Sequence, residues 1–123
     1  MLVTMEECYR ELGGNYAEVC KRLPNLSLIE RFTARFPDDP SFHDLCREME
    51  NGNRAGAFRA AHTLKGVCAN LSFTRLLESV SRLTDVLRPE ADTIPDAAAA
   101  LLENVRQEYQ LTVDAIRKYQ QER

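Results

Sequence analysis

From Asp96 to Arg123 the chain has neither glycine nor proline, and Ala98, Leu101, Leu102, Val105, Tyr109, Thr112, Val113 and Ile116 recur at three- and four-residue steps. That period places all of these side chains on one stripe of a helix of about 25 residues starting near Pro95, the longest in the chain. Asp96 stands early in it and Arg117 and Lys118 late, the order that the helix dipole favours. Such a stripe has to be buried against other helices or a sheet. No alternating apolar and polar run, and no Asn-Gly turn between strand-like runs, offers a sheet. The fold is expected to be all-α.

The rest of the chain divides into shorter helices at its caps and breakers. Thr4 and Glu7 have the spacing of a capping box and Gly13-Gly14 supplies a stop, which predicts a first helix over residues 5 to 12. Asn15 with Glu18 opens a second, with Tyr16, Val19, Cys20 and Leu23 inward and an end before Pro24. A third runs from about Ser27 to Phe36, where the spacing of Ile29, Phe32 and Phe36 assigns them to the core, and Pro37 closes it. Asp39-Pro40 reads as a cap followed by proline at the first helical position, opening a helix with Phe42, Leu45, Cys46 and Met49 on one side. After Asn51-Gly52, Asn53 caps a helix that runs through Leu71 to the Ser72-Phe73-Thr74 region. A further helix starts at Ser72 or Thr74, carries Leu76, Leu77, Val80, Leu83 and Leu87, and stops at Pro89. The helices starting near residues 39, 53, 74 and 95 are expected to form an antiparallel four-helix bundle over about 39–120, with the N-terminal helices of residues 5–36 packed across one end.

At 123 residues and 44% apolar composition, the whole chain, 1–123, is expected to be one domain with a sizeable core. Its net charge of −3 lacks the surplus of Lys and Arg that phosphate neutralisation requires, so proteins are expected as partners and nucleic acid is not. No run approaches the ~18 apolar residues of a membrane span, and the N-terminus shows no basic region followed by an apolar stretch, which points to a cytoplasmic protein away from the membrane. Cys8, Cys20, Cys46 and Cys68 form no C-x-x-C pair and are read as reduced thiols, Cys68 being a small buried hydrophobe.

The helix after Asn53 carries the chemistry. At about 100° per residue, Ala57, Ala61, Leu64, Cys68 and Leu71 fall in an apolar sector roughly 80° wide, with Phe58 at its edge. His62 points about 120° away from the middle of that sector, with Arg59, Gly66, Ala69 and Phe73 on the same outward side. The histidine is therefore expected to be exposed, and Arg59, Ala69 and Phe73 are candidates for a docking face. Lys65, three residues on, is close enough for its ammonium to reach whatever the imidazole carries. Gly66, four residues on, costs the helix about 1 kcal/mol relative to alanine, so its presence asks for a reason such as the close approach of another surface. An exposed imidazole is a nucleophile at physiological pH, and Lys65 would offset part of the charge that a phosphoryl group brings.

Ala61-His62-Thr63-Leu64-Lys65-Gly66 followed by Ala69-Asn70-Leu71 resembles the signature of histidine phosphotransfer (HPt) domains, the four-helix relay modules of two-component phosphorelays. Weaker agreement extends from about Phe36 to Leu87. The resemblance implies that His62 is the phosphoacceptor, that Lys65 steadies the phosphoryl group and that Gly66 is the clearance for a docking receiver domain. It also implies that the partners are receiver domains of hybrid histidine kinases and response regulators, with Mg2+ on the receiver and no cofactor on this chain. Lacking the ATP-binding domain of a histidine kinase, the chain is expected to pass phosphate on without autonomous kinase activity. Two positions depart from the family pattern: Ser72 stands where many members have glycine, and Asn53 where an acidic residue is common.

Two other functions compete with this reading. A helical adaptor with a degenerate motif would bind a signalling protein and carry no phosphate. A hydrolytic or metal-dependent enzyme has little to build on, because no Ser/His/Asp set or His-x-x-x-His pattern appears, and His43 with Cys46 would supply only two metal ligands.

Overall fold

The computed structural model describes residues 2–88 and 92–123. Among the described residues seven α-helices run in order: α1 (Met5–Leu12), α2 (Tyr16–Arg22), α3 (Leu26–Arg35), α4 (Ser41–Glu50), α5 (Arg54–Leu71), α6 (Thr74–Val86) and α7 (Ala97–Gln121), with a 3-10 turn (Phe36–Asp38) before α4. No strand occurs among the described residues. The all-α expectation holds.

Local chemistry sets most of the boundaries. Thr4 and Glu7 form the full capping box of α1, and Gly13 ends that helix in the left-handed region at φ 80°. Asn15 and Asn53 accept the backbone N–H groups of Glu18 and Gly56, opening α2 and α5. Helix α3 starts one residue before the expected position because Asn25 caps it, through the Ser27 N–H at 2.7 Å. At α4, Asp39 accepts the Ser41 N–H at 2.9 Å, so Pro40 precedes the helix instead of being its first residue. The stop expected at Pro89 lies outside the described residues.

Helix α4 packs on α5, α5 on α6 and α6 on α7. The Arg54 guanidinium at the start of α5 donates to the Leu87 carbonyl at the end of α6 at 2.8 Å, so these two helices run in opposite directions. Phe42 of α4 stacks on Tyr109 of α7 with ring centroids 3.9 Å apart. Tyr109 meets Phe36 at 5.7 Å, Phe36 meets Phe73 at 5.1 Å and Phe73 meets Tyr9 at 5.6 Å, a continuous aromatic spine linking α4, α7, the 3-10 turn, the α5–α6 turn and α1. Around it Leu12, Ile29, Leu45, Leu64, Leu76 and Leu83 are fully buried, each contributing about 1.5–3 kcal/mol of transfer free energy.

The expected core differs from the observed one at Phe32, at the end of α7 and at Phe73. Phe32 is 39% exposed and not buried with Ile29 and Phe36; it shares its helix face with Arg35, whose guanidinium lies 6.0 Å from its ring. The end of α7 is packed beyond Ile116, the last residue of the expected stripe. Tyr119 is buried and its hydroxyl donates to the Glu30 carboxylate at 2.5 Å, while Glu122 accepts the Val3 N–H at 2.7 Å. Helix α1 lies along these last turns of α7. Seen from the sequence, Arg117-Lys118 and Gln120-Gln121 hide one inward tyrosine among polar neighbours.

Candidate functional site

Helix α5 carries the candidate residues on its outer side. Ala57, Ala61, Leu64, Cys68 and Leu71 are all buried, as the helical wheel requires. His62 and Arg59 are exposed, and Ala69 and Lys65 are half-buried. Five of the six predicted site residues, Arg59, His62, Lys65, Gly66 and Ala69, therefore lie on the exposed side of the helix or its edge.

Phe73 does not. It is fully buried, in contact with the rings of Tyr9 and Phe36. The wheel fails there because Ser72 ends α5 in the left-handed conformation, φ 56° and ψ 40°, and redirects the chain before Phe73. Phe73 is removed from the docking face.

Gly66 gains its meaning from a comparison with Gly56 on the same helix. A Cβ added at Gly56 would collide with the Glu48 carboxylate, which accepts the Asn53 side-chain amide at 2.5 Å, so Gly56 makes room inside the fold. A Cβ added at Gly66 would meet nothing within 4 Å. The cost of a mid-helix glycine at 66 has no reason within the chain. What it leaves is a bare patch of helix one turn beyond the imidazole.

Two clefts flank α5. One, of about 390 Å³, lies between α4 and α5 with Asp44, Arg47, Glu48, Arg59 and Thr63 on its walls. The other, of about 430 Å³, is mostly apolar and lined by Leu23, Phe32, Phe36, Val67 and Leu71. His62 lines neither. It stands on the exposed face of α5 outside both, a placement suited to a reacting group brought by another protein's surface and not to a small substrate held in a pocket.

The buried thiols take no part in that chemistry. Burial pushes the Cys8 thiol up to about 11 and the Cys68 thiol higher still, so both are neutral at physiological pH. All four cysteines are free. Among the described residues no group of three or more His, Cys, Asp or Glu side chains is placed to hold a metal ion, and His43 packs near the Phe42 and Tyr109 rings. No helix among them is long and apolar enough to cross a membrane.

One feature near His62 escaped the sequence reading: Phe58, four residues earlier, lies nearly parallel to the imidazole. The i, i+4 spacing is the signal that could have found it.

This chain belongs to the Hpt domain family: the model of that domain matches residues 27–118, most of the chain and all of the helix that carries His62. The family takes part in histidine phosphotransfer within phosphorelays, where its members interact with receiver domains. Comparison with curated proteins and with solved structures returned no match. Helices α1 and α2 lie outside the matched stretch.

Proposed function

We propose that this chain is a phosphorelay intermediate that accepts a phosphoryl group on His62 from one receiver-domain aspartate and donates it to another. The observation that carries this reading is the exposed imidazole next to a glycine that nothing inside the fold requires. In the forward step, the lone pair of the unprotonated ring nitrogen attacks the phosphorus of the receiver's aspartyl phosphate. The bond from phosphorus to the carboxylate oxygen breaks, and the aspartate leaves with that electron pair. The second ring nitrogen keeps its proton, so the ring's positive charge sits beside the negative phosphoryl oxygens. Transfer onward is the same step in reverse.

Lys65, one turn along the helix edge, contributes a second positive charge toward those oxygens. Gly66 lets the receiver's active site come down to the ring, and Arg59 and Ala69 border the docking face. In this reading Mg2+ belongs to the receiver, which supplies most of the catalytic groups, and the pair meet in the cytoplasm. Lys65→Ala is expected to slow transfer or shorten the lifetime of the phosphohistidine.

The test is incubation with phosphorylated receiver domains from the source genome. Acquisition of label by the chain supports the relay, and its absence across all cognate receivers supports a helical adaptor instead.

A further inference from the structure

Among the described residues, the imidazole of His62 has an aromatic ring as its neighbour and no hydrogen bond. Phe58 lies one turn before it on α5, with ring centroids 6.1 Å apart and planes inclined by 20°. Side chains on a helix lean toward its N-terminus, so the His62 ring tilts over Phe58 and away from Gly66. Phe58 in turn has a cation near it from just past the end of α6: the Arg88 guanidinium lies 6.0 Å from its ring centroid and pairs with Asp85 at 3.4 Å. Among the described residues no protein group hydrogen-bonds either nitrogen of the His62 ring.

This arrangement matters for a nucleophile. The lone pair of an imidazole nitrogen lies in the ring plane, and a hydrogen bond used to orient the ring would occupy one of the two nitrogens. A phenyl ring lying offset and nearly parallel beside the imidazole limits the rotamers open to it and leaves both nitrogens free at its edge. An unrestrained surface histidine samples three χ1 wells and a broad χ2, most of which aim the nitrogens away from an incoming phosphorus.

We propose that Phe58 is a positioning residue, one that stacks on the His62 imidazole and presents its nitrogen edge to the receiver. The proposal rests on His62 being the phosphoacceptor. Phe58→Leu keeps the apolar bulk at the edge of the core and removes the aromatic face, whereas Phe58→Tyr keeps the face.

Two measurements on the full chain test it. In the free protein, the NMR signals of the His62 ring protons are expected to be shifted by the Phe58 ring current, to move toward random-coil values in Phe58→Leu and to stay near wild type in Phe58→Tyr. In single-turnover transfer from a phosphorylated receiver, Phe58→Leu is expected to lower the first-order rate about three- to tenfold, the size of an aromatic contact, with unchanged receiver affinity, and Phe58→Tyr to restore it. His62 shifts that are the same in Phe58→Leu and wild type would show that the rings do not stack in solution. A wild-type transfer rate in Phe58→Leu would show that the stack positions nothing. A wild-type chain that takes no label at His62 would instead overturn the phosphoacceptor reading, with the NMR shifts still reporting the stack itself.

Discussion

The Tyr9 hydroxyl donates to the main-chain carbonyl of Leu71 at 2.8 Å, tying α1 to the last residue of the helix that carries His62. Both residues are buried, and burial raises the Tyr9 hydroxyl pKa, so it remains a neutral donor at any working pH. Tyr9→Phe leaves the Leu71 carbonyl without this donor. It is expected to lower the unfolding free energy by about 1–3 kcal/mol. Denaturant unfolding of the two proteins, with equal m-values, measures the difference, and phosphotransfer at low temperature should be retained.

Ser72 occupies the left-handed region where the family often has glycine, at φ 56°. Its hydroxyl accepts from Arg22 at 2.7 Å and donates to Glu18 at 2.8 Å, and its carbonyl accepts the Asn15 N–H at 2.8 Å. Helix α2 thus clasps the turn and offsets the backbone strain. Ser72→Ala loses the hydroxyl bonds and keeps the strain, whereas Ser72→Gly loses both. Ser72→Ala is expected to be less stable than Ser72→Gly by about 1 kcal/mol in chemical denaturation.

The same clasp sets a pH dependence. The hydroxyl of Ser72 and then the guanidinium of Arg22 hold the Glu18 carboxyl below its ordinary 4.5. A carboxylate with a lowered folded-state pKa contributes stability above its unfolded value, and that contribution disappears as pH falls through the folded value. Wild type is therefore expected to lose stability below pH 4.5 more steeply than Glu18→Gln. Unfolding midpoints at pH 7 and at successive values below 4.5 report this, and parallel curves would show that the clasp carries no net charge effect.

Gly66 separates stability from function. With open space around a Cβ, Gly66→Ala is expected to raise the unfolding free energy by about 0.5–1 kcal/mol through helix propensity. The same change, and more strongly Gly66→Leu, is expected to weaken receiver docking. Thermal unfolding and receiver titration on the same samples measure both, and a stabilised variant that binds at wild-type strength would remove the clearance role.

Much of this was legible in the sequence because caps and periodicity act locally. Asn53 opens α5 as read, since an asparagine side chain satisfies the first free N–H groups wherever the rest of the fold lies, whereas the helix stops at Leu71, short of the Ser72-Phe73-Thr74 region to which it was expected to run. Phe73 was not legible: a wheel extends only as far as the helix, and the left-handed Ser72 breaks the rotation one residue earlier. Tyr119 was hidden for a different reason. Its burial depends on α1 and Glu30, distant in the chain, and no window on α7 contains them. The exposure of His62 followed from its angle to Leu64 and Cys68, whereas its stacking on Phe58 depends on rotamers that spacing alone leaves open.

The central claim is that His62 carries the phosphoryl group. Receiver domains labelled at their aspartate should be mixed with wild type and with His62→Gln, and the label on each chain followed over time. His62 is exposed and contributes little packing, so the variant is expected to fold with wild-type circular dichroism and stability. Acid-labile, alkali-stable label is expected on wild type and none on His62→Gln. Equal labelling of a folded His62→Gln would contradict it.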